Sequence, residues 1–171
     1  MKLENYNDYK EYSVKIYDIS MSMSVLNWDQ ETKMPKNGSR FRAQQLSTLA
    51  KIAYELSTDE NYGKLLETLN NDESLNSDQK RNIFLSRKEF LKNKKYSSEF
   101  IVKQSKLISK AFNDWRIAKE KNDFKLFQDS LEKLVELRKE ECELIGYTNH
   151  PYDALLERYE PNLTTKDVDL I

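Results

Sequence analysis

Histidine and cysteine each occur once in this 171-residue chain, and glycine and proline three times each. Each scarcity excludes something. Cys142 alone cannot close an intrachain disulfide, which fits a reducing compartment. His150 alone cannot form a two-imidazole zinc site, and there is no set of thiolates to complete one. So few Gly and Pro residues leave too few turn positions for an all-β chain and favour long helices. No apolar run approaches the ~18 residues of a membrane span. The start, Met1-Lys2-Leu3-Glu4-Asn5-Tyr6, is polar and acidic where a signal peptide would carry an apolar core. A cytoplasmic protein without membrane partners is the expectation. With 28 basic and 29 acidic side chains, the net charge is −1, so the electrostatic footprint of a nucleic-acid binder is missing. The basic cluster Lys92-Asn93-Lys94-Lys95 is short and suits the C-terminal dipole of a helix.

What is present reads as one all-α domain. Hydrophobic residues make up 38% and charged residues 33%, while ten Tyr, seven Phe and two Trp supply core bulk and argue against disorder. A first helix is expected over residues 3–28, with Tyr6, Tyr9, Ser13, Ile16, Ser20, Met23 and Asn27 on one stripe. A second spans 39–56, with a seam of Leu46, Leu49, Ala50 and Ala53, and a short third spans 60–69. A fourth starts at Ser77 and turns Ile83, Phe84, Arg87, Phe90 and Leu91 inward. The fifth runs from Ser97-Ser98-Glu99 to about residue 121, with Ile101, Ile108, Ala111, Trp115 and Ala118 on one face and Trp115 as a core anchor. Asp123 caps a sixth, whose stripe is Phe127, Leu131, Leu134, Arg138 and Ile145 and which Gly146 ends. Thr164-Thr165 opens a last helix with Asp167 and Asp169 near its first turn. The expected architecture is six to seven helices in antiparallel pairs, with helices four to six forming an antiparallel array.

The candidate chemistry is sparse. Trp28-Asp29-Gln30-Glu31-Thr32-Lys33-Met34-Pro35 gathers an aromatic, two carboxylates and an amide where Pro35 must stop a helix. It reads as a helix–turn–helix corner held by a buried Trp28, with Asp29 accepting from Arg40 or Arg42 across the turn. Asp29 and Glu31 stand at i and i+2 and so do not share a helix face, which disfavours a glycosidase-type pair. His150 precedes Pro151 and reads as a cap at a helix start. Cys142 lies among Glu140, Glu141 and Glu143, whose charges disfavour a thiolate. Those glutamates read as a solvated helix face, and Arg158 with Tyr159, Glu160 and Pro161 as a structured corner. No residue is assigned a catalytic, cofactor-binding or metal-ligating role.

Three stretches together resemble a known family. The first lies between residues 26 and 49: Trp28-Asp29-Gln30-Glu31-Thr32, Met34-Pro35, Arg42-Ala43-Gln44-Gln45-Leu46 and Thr48-Leu49. The second is Asn122-Asp123-Phe124 with Leu126-Phe127 and Leu131-Glu132-Lys133-Leu134-Val135-Glu136-Leu137. The third is Tyr152-Asp153-Ala154-Leu155-Leu156-Glu157-Arg158-Tyr159-Glu160-Pro161, closing on Thr164-Thr165. In this order they resemble the amino-terminal region of the carboxypeptidase Taq family of zinc metallocarboxypeptidases, whose members are several-fold longer.

The resemblance implies a helical metallopeptidase with a deep cleft that removes single residues from peptide C-termini by means of zinc-bound water. It implies zinc and a peptide substrate for the full-length protein, with these helices as cleft wall or lid and as contacts of a possible homodimer. The family's His-Glu-x-x-His helix, which sets two imidazoles on one face, has no counterpart here. The expectation is that residues 1–171 are a truncated amino-terminal helical region, inactive and without zinc. A last helix that starts correctly and runs only from Lys166 to the end at Ile171 supports truncation. The alternative is a stand-alone helical binding or assembly module without catalysis.

Overall fold

The computed structural model describes residues 5–157 and 159–171. Among these residues the chain is all-α, as expected, with eight α-helices and one 3-10 turn. They are α1 (Tyr6–Thr32), the 3-10 turn (Lys36–Gly38), α2 (Ser39–Ser57), α3 (Glu60–Asn70), α4 (Ser77–Asn93), α5 (Ser98–Lys121), α6 (Lys125–Ile145), α7 (Pro151–Leu156) and α8 (Thr165–Val168). The count exceeds the expected six or seven by one, and the helix start expected at Pro151 opens a separate six-residue helix. The expected helix start at residue 3 and the reading of Arg158 lie outside the described residues. The chain divides into two compact units, Met1–Ser109 and Lys110–Ile171.

The first unit is built on α1 packed against α2, and α3 against α4. Short polar residues set the helix starts. Asn5 and Asp8 form a reciprocal capping box at α1, Asn76 and Gln79 do so at α4, and Asp59 accepts from the Asn61 and Tyr62 amides at α3. The core of this unit contains Tyr9, Tyr62, Leu65, Leu66, Leu69, Leu75 and Ile83. Leu65, Leu66 and Leu69 follow helical spacing, so α3 buries one continuous face despite its eleven residues. Gly63 is fixed there by contact: a Cβ would stand 2.9 Å from Cε1 of Phe90, closer than packed carbons allow.

The tyrosines keep polar tips satisfied while their rings are packed. Tyr9 and Ser86 share a hydroxyl hydrogen bond of 2.9 Å, and Tyr12 donates to the Leu56 carbonyl at 3.1 Å. Tyr54 donates to the Tyr96 carbonyl at 2.6 Å. Tyr12 stacks on Tyr62 with centroids 4.6 Å apart. Burial, then the charges of Asp59 and Tyr62, pushes the Tyr12 phenol up to about 12, so it stays a donor at neutral pH. Ser20, Ser22 and Ser24 each donate back to a carbonyl four residues earlier, which satisfies their hydroxyls within α1.

The second unit buries small and medium side chains: Ala111, Ala118, Ser130, Leu137, Glu141, Cys142, Ala154 and Leu156. Ser130 donates to Asp114 at 2.5 Å and accepts from Lys110 at 3.1 Å, so its hydroxyl is satisfied. Asp123 accepts from the Lys125 amide at 3.0 Å, but the N-cap position of α6 is Phe124, one residue later than expected, and no side chain caps there. Gly146, with φ of 78°, stops α6 in a backbone region that favours glycine. Contacts join α6 to α7 and α7 to α8.

Several predicted core positions are corrected. Trp28 is 59% exposed and Trp115 42% exposed, so neither is a buried anchor. Lys119 lies 5.1 Å over the Trp115 ring and covers part of it from solvent. On α4, Ile83 and Phe90 turn inward as expected, but Phe84 and Leu91 are exposed, because each lies one residue, or about 100°, round the helix from that seam. Ile108 is exposed on α5. On α6 the buried residues are Ser130, Leu137, Glu141 and Cys142; of the expected stripe, Phe127, Leu134, Arg138 and Ile145 are half-buried and Leu131 is exposed.

Candidate functional site

Pro35 ends the first corner as its chemistry requires. The amides of Lys33 and Met34 both donate to the Asp29 carbonyl, at 2.9 and 2.8 Å, closing the last turn of α1. The side chains of residues 28–30 then go three separate ways. Trp28 points to solvent. Asp29 accepts from Arg42 Nη2 at 2.5 Å, the pairing foreseen with Arg40 as the other choice. Arg42 also donates to the Leu26 carbonyl, and its Nε donates to Gln45 at 3.2 Å. Its side chain is 12% exposed, so one guanidinium clamps the end of α1 to α2. Gln30 is buried and accepts from Ser109 at 2.7 Å.

Gln30 is the polar residue that the sequence reading passed over. It lies seven positions beyond Met23 and past the expected helix end at residue 28; α1 continues to Thr32 and so carries the inner stripe as far as Gln30, where an amide signals a buried hydrogen bond.

His150 caps α7. Its Nδ1 accepts from the Tyr152 amide at 3.1 Å, which places the proton of the neutral ring on Nε2. The Asp153 carboxylate returns the bond from the His150 amide at 3.3 Å. Asp153 also accepts from the amide and the hydroxyl of Thr165, both at 2.6 Å, and so joins the starts of α7 and α8. These hydrogen bonds hold the Asp153 carboxyl below its usual range. Thr164 is the expected cap of α8 and forms a capping box with Asp167, and bonds from Thr164 lower Asp167 in the same way.

The glutamate run of α6 is corrected in one member. Glu141 is fully buried and accepts from Arg138 at 2.5 Å, whereas a solvated face was expected. Beside it Cys142 is buried too, and its thiol is raised first by burial and then by the charges of Glu141 and Glu143. That agrees with the expectation that it would not ionise readily. Between α6 and α7 lies a groove of about 660 Å³, lined by Leu131, Leu134, Val135, Pro151 and Leu155 among others.

The donor chemistry of these places does not fit the zinc centre implied by the resemblance. Among the described residues, no group of three or more His, Cys, Asp or Glu side chains could hold a metal ion. The Nδ1 of the single histidine is committed to a helix cap. No helix among these residues is long and apolar enough to cross a membrane.

Comparison with known proteins accounts for the resemblance. Thermostable carboxypeptidase 1 of Pyrococcus furiosus is 34% identical over 155 residues, covering 91% of this chain and 31% of that protein. Carboxypeptidase 1 of Bacillus subtilis is 34% identical over 156 residues, with the same coverage of 91% and 31%. Among solved structures, the one described as BsuCP superimposes with a TM-score of 0.93 at 34% identity, over 96% of this chain and 33% of that one. A Pyrococcus furiosus carboxypeptidase matches with a TM-score of 0.77 at 32% identity, over 99% and 34%. The chain thus spans about a third of the length of the relatives it matches. The family model for the carboxypeptidase Taq (M32) metallopeptidases matches residues 8–171, and the chain belongs to that family.

Proposed function

We propose that residues 1–171 are the amino-terminal helical region of a zinc-dependent metallocarboxypeptidase, which removes C-terminal residues from peptides. In this reading the helices form cleft wall or lid, where they limit access and substrate length. The zinc ligands and the general base belong to the part of the family fold that this chain does not span. The observation that carries the reading is the family match over residues 8–171 at a third of the relatives' length.

Zinc content tests this division of labour. The 171-residue chain, dialysed against zinc, should retain no stoichiometric metal. A chimera in which this chain replaces the matching third of the Bacillus subtilis carboxypeptidase 1 should retain a bound zinc ion. Stoichiometric zinc on the chain alone, or a folded chimera without zinc, would contradict the reading.

A further inference from the structure

The groove between α6 and α7 is an interaction surface without an assigned partner. It lies wholly within the second unit and measures about 660 Å³. Leu131, Leu134 and Val135 form one wall and Pro151, Tyr152 and Leu155 the other. Val135 is 47% exposed and Tyr152 48% exposed, so apolar surface stands open to water on both walls. A small-molecule pocket of this size would pair its apolar lining with a few polar groups aimed at a ligand. Here the charged lining is engaged elsewhere. Arg138 donates to Glu141, Lys139 to Glu136, and Glu143 accepts from the Tyr147 hydroxyl. His150 accepts from the Tyr152 amide.

We propose that this groove seats an amphipathic helix from the remainder of the carboxypeptidase fold, the two thirds of its relatives that this chain does not span. The proposal rests on the functional reading above. Three observations favour this occupant. The family match runs through both walls of the groove, so α6 and α7 belong to a fold with about twice as much chain still to place. The described part of the fold is entirely helical, and an apolar trough between two helices accepts an apolar helix ridge. A second copy fits less well: an isologous contact needs one surface to complement itself, and a concave trough does not.

Thiol labelling reads the groove directly. Val135→Cys places a reactive group on the wall, and Lys133→Cys places one on the opposite, solvated side of α6. In the 171-residue chain both should react with a maleimide at similar rates, after subtraction of the slow reaction of buried Cys142. In the full-length chimera with the Bacillus subtilis remainder, Val135→Cys should react at least about tenfold more slowly while Lys133→Cys is unchanged. Equal rates at the two sites in the chimera would overturn the proposal. So would labelling of Val135→Cys in the 171-residue chain that slows with rising protein concentration, since that would make a second copy the occupant. The chimera's zinc content is read separately. A zinc-loaded chimera with an open groove defeats this proposal alone, and a zinc-free chimera with a protected groove defeats the functional reading alone.

Discussion

At the scale of single residues, the side chains that were legible were those with one chemical option. Asp29 needed a cationic partner across a turn and has Arg42. Pro35 had to end a helix and does. His150 and Thr164 stand where helix caps belong, and both accept backbone amides. Residues with two options were misjudged. Tryptophan is large and apolar, yet it is rarely covered completely, and sequence gives its helix face but not how far a neighbour extends over that face. Two predictions belong here. Asp29→Asn should lower stability by roughly 1–2 kcal/mol, because it replaces a charge-assisted bond to a nearly buried guanidinium. Chemical denaturation checks this, with the exposed Glu31→Gln as a neutral reference within about 0.5 kcal/mol. Trp115→Ala should cost only about 1–2 kcal/mol, in keeping with a half-covered ring, where a core anchor would cost about 3–5 kcal/mol. Urea titration distinguishes the two values.

At the scale of elements, the boundaries of α2 to α6 followed from caps, periodicity and Gly146. The face that each helix buries was harder to read. On α6 the apolar side chains Leu131 and Val135 line a groove, while Ser130 and Glu141 are buried. A hydrophobic stripe thus need not coincide with the face that a helix buries within this chain. Polar bonds join the starts of the short helices α7 and α8, and that gives them a definite pH response. The Asp153 and Asp167 carboxyls are lowered from 3.8 by hydrogen bonds that only the folded chain makes. Their stabilisation is therefore present above that value and fades as pH falls through the lower folded value. The Thr165 amide should be protected from exchange near pH 6 and lose that protection in acid, as pH falls below the ordinary carboxyl value of 3.8 and through the lower folded one. Asp153→Asn should remove the protection already at pH 6. Protection of Thr165 that is unchanged between these pH values would show that the carboxylate does not hold α7 to α8.

At the scale of the whole molecule, composition alone excluded a disulfide scaffold, a nucleic-acid binder and an all-β fold. The chain's polar balance suits a part of a larger helical protein, and its relatives are three times as long. No catalytic residue was legible: the His-Glu-x-x-His element that the resemblance implies does not occur in these 171 positions. The most direct test of the account is carboxypeptidase activity, followed by mass spectrometry of a peptide incubated with zinc. The chimera of this chain with the Bacillus subtilis remainder should shorten the peptide one residue at a time from its C-terminus, and this chain alone should leave it intact. Stepwise shortening by the 171-residue chain, or a folded and zinc-loaded chimera that leaves the peptide whole, would contradict the account.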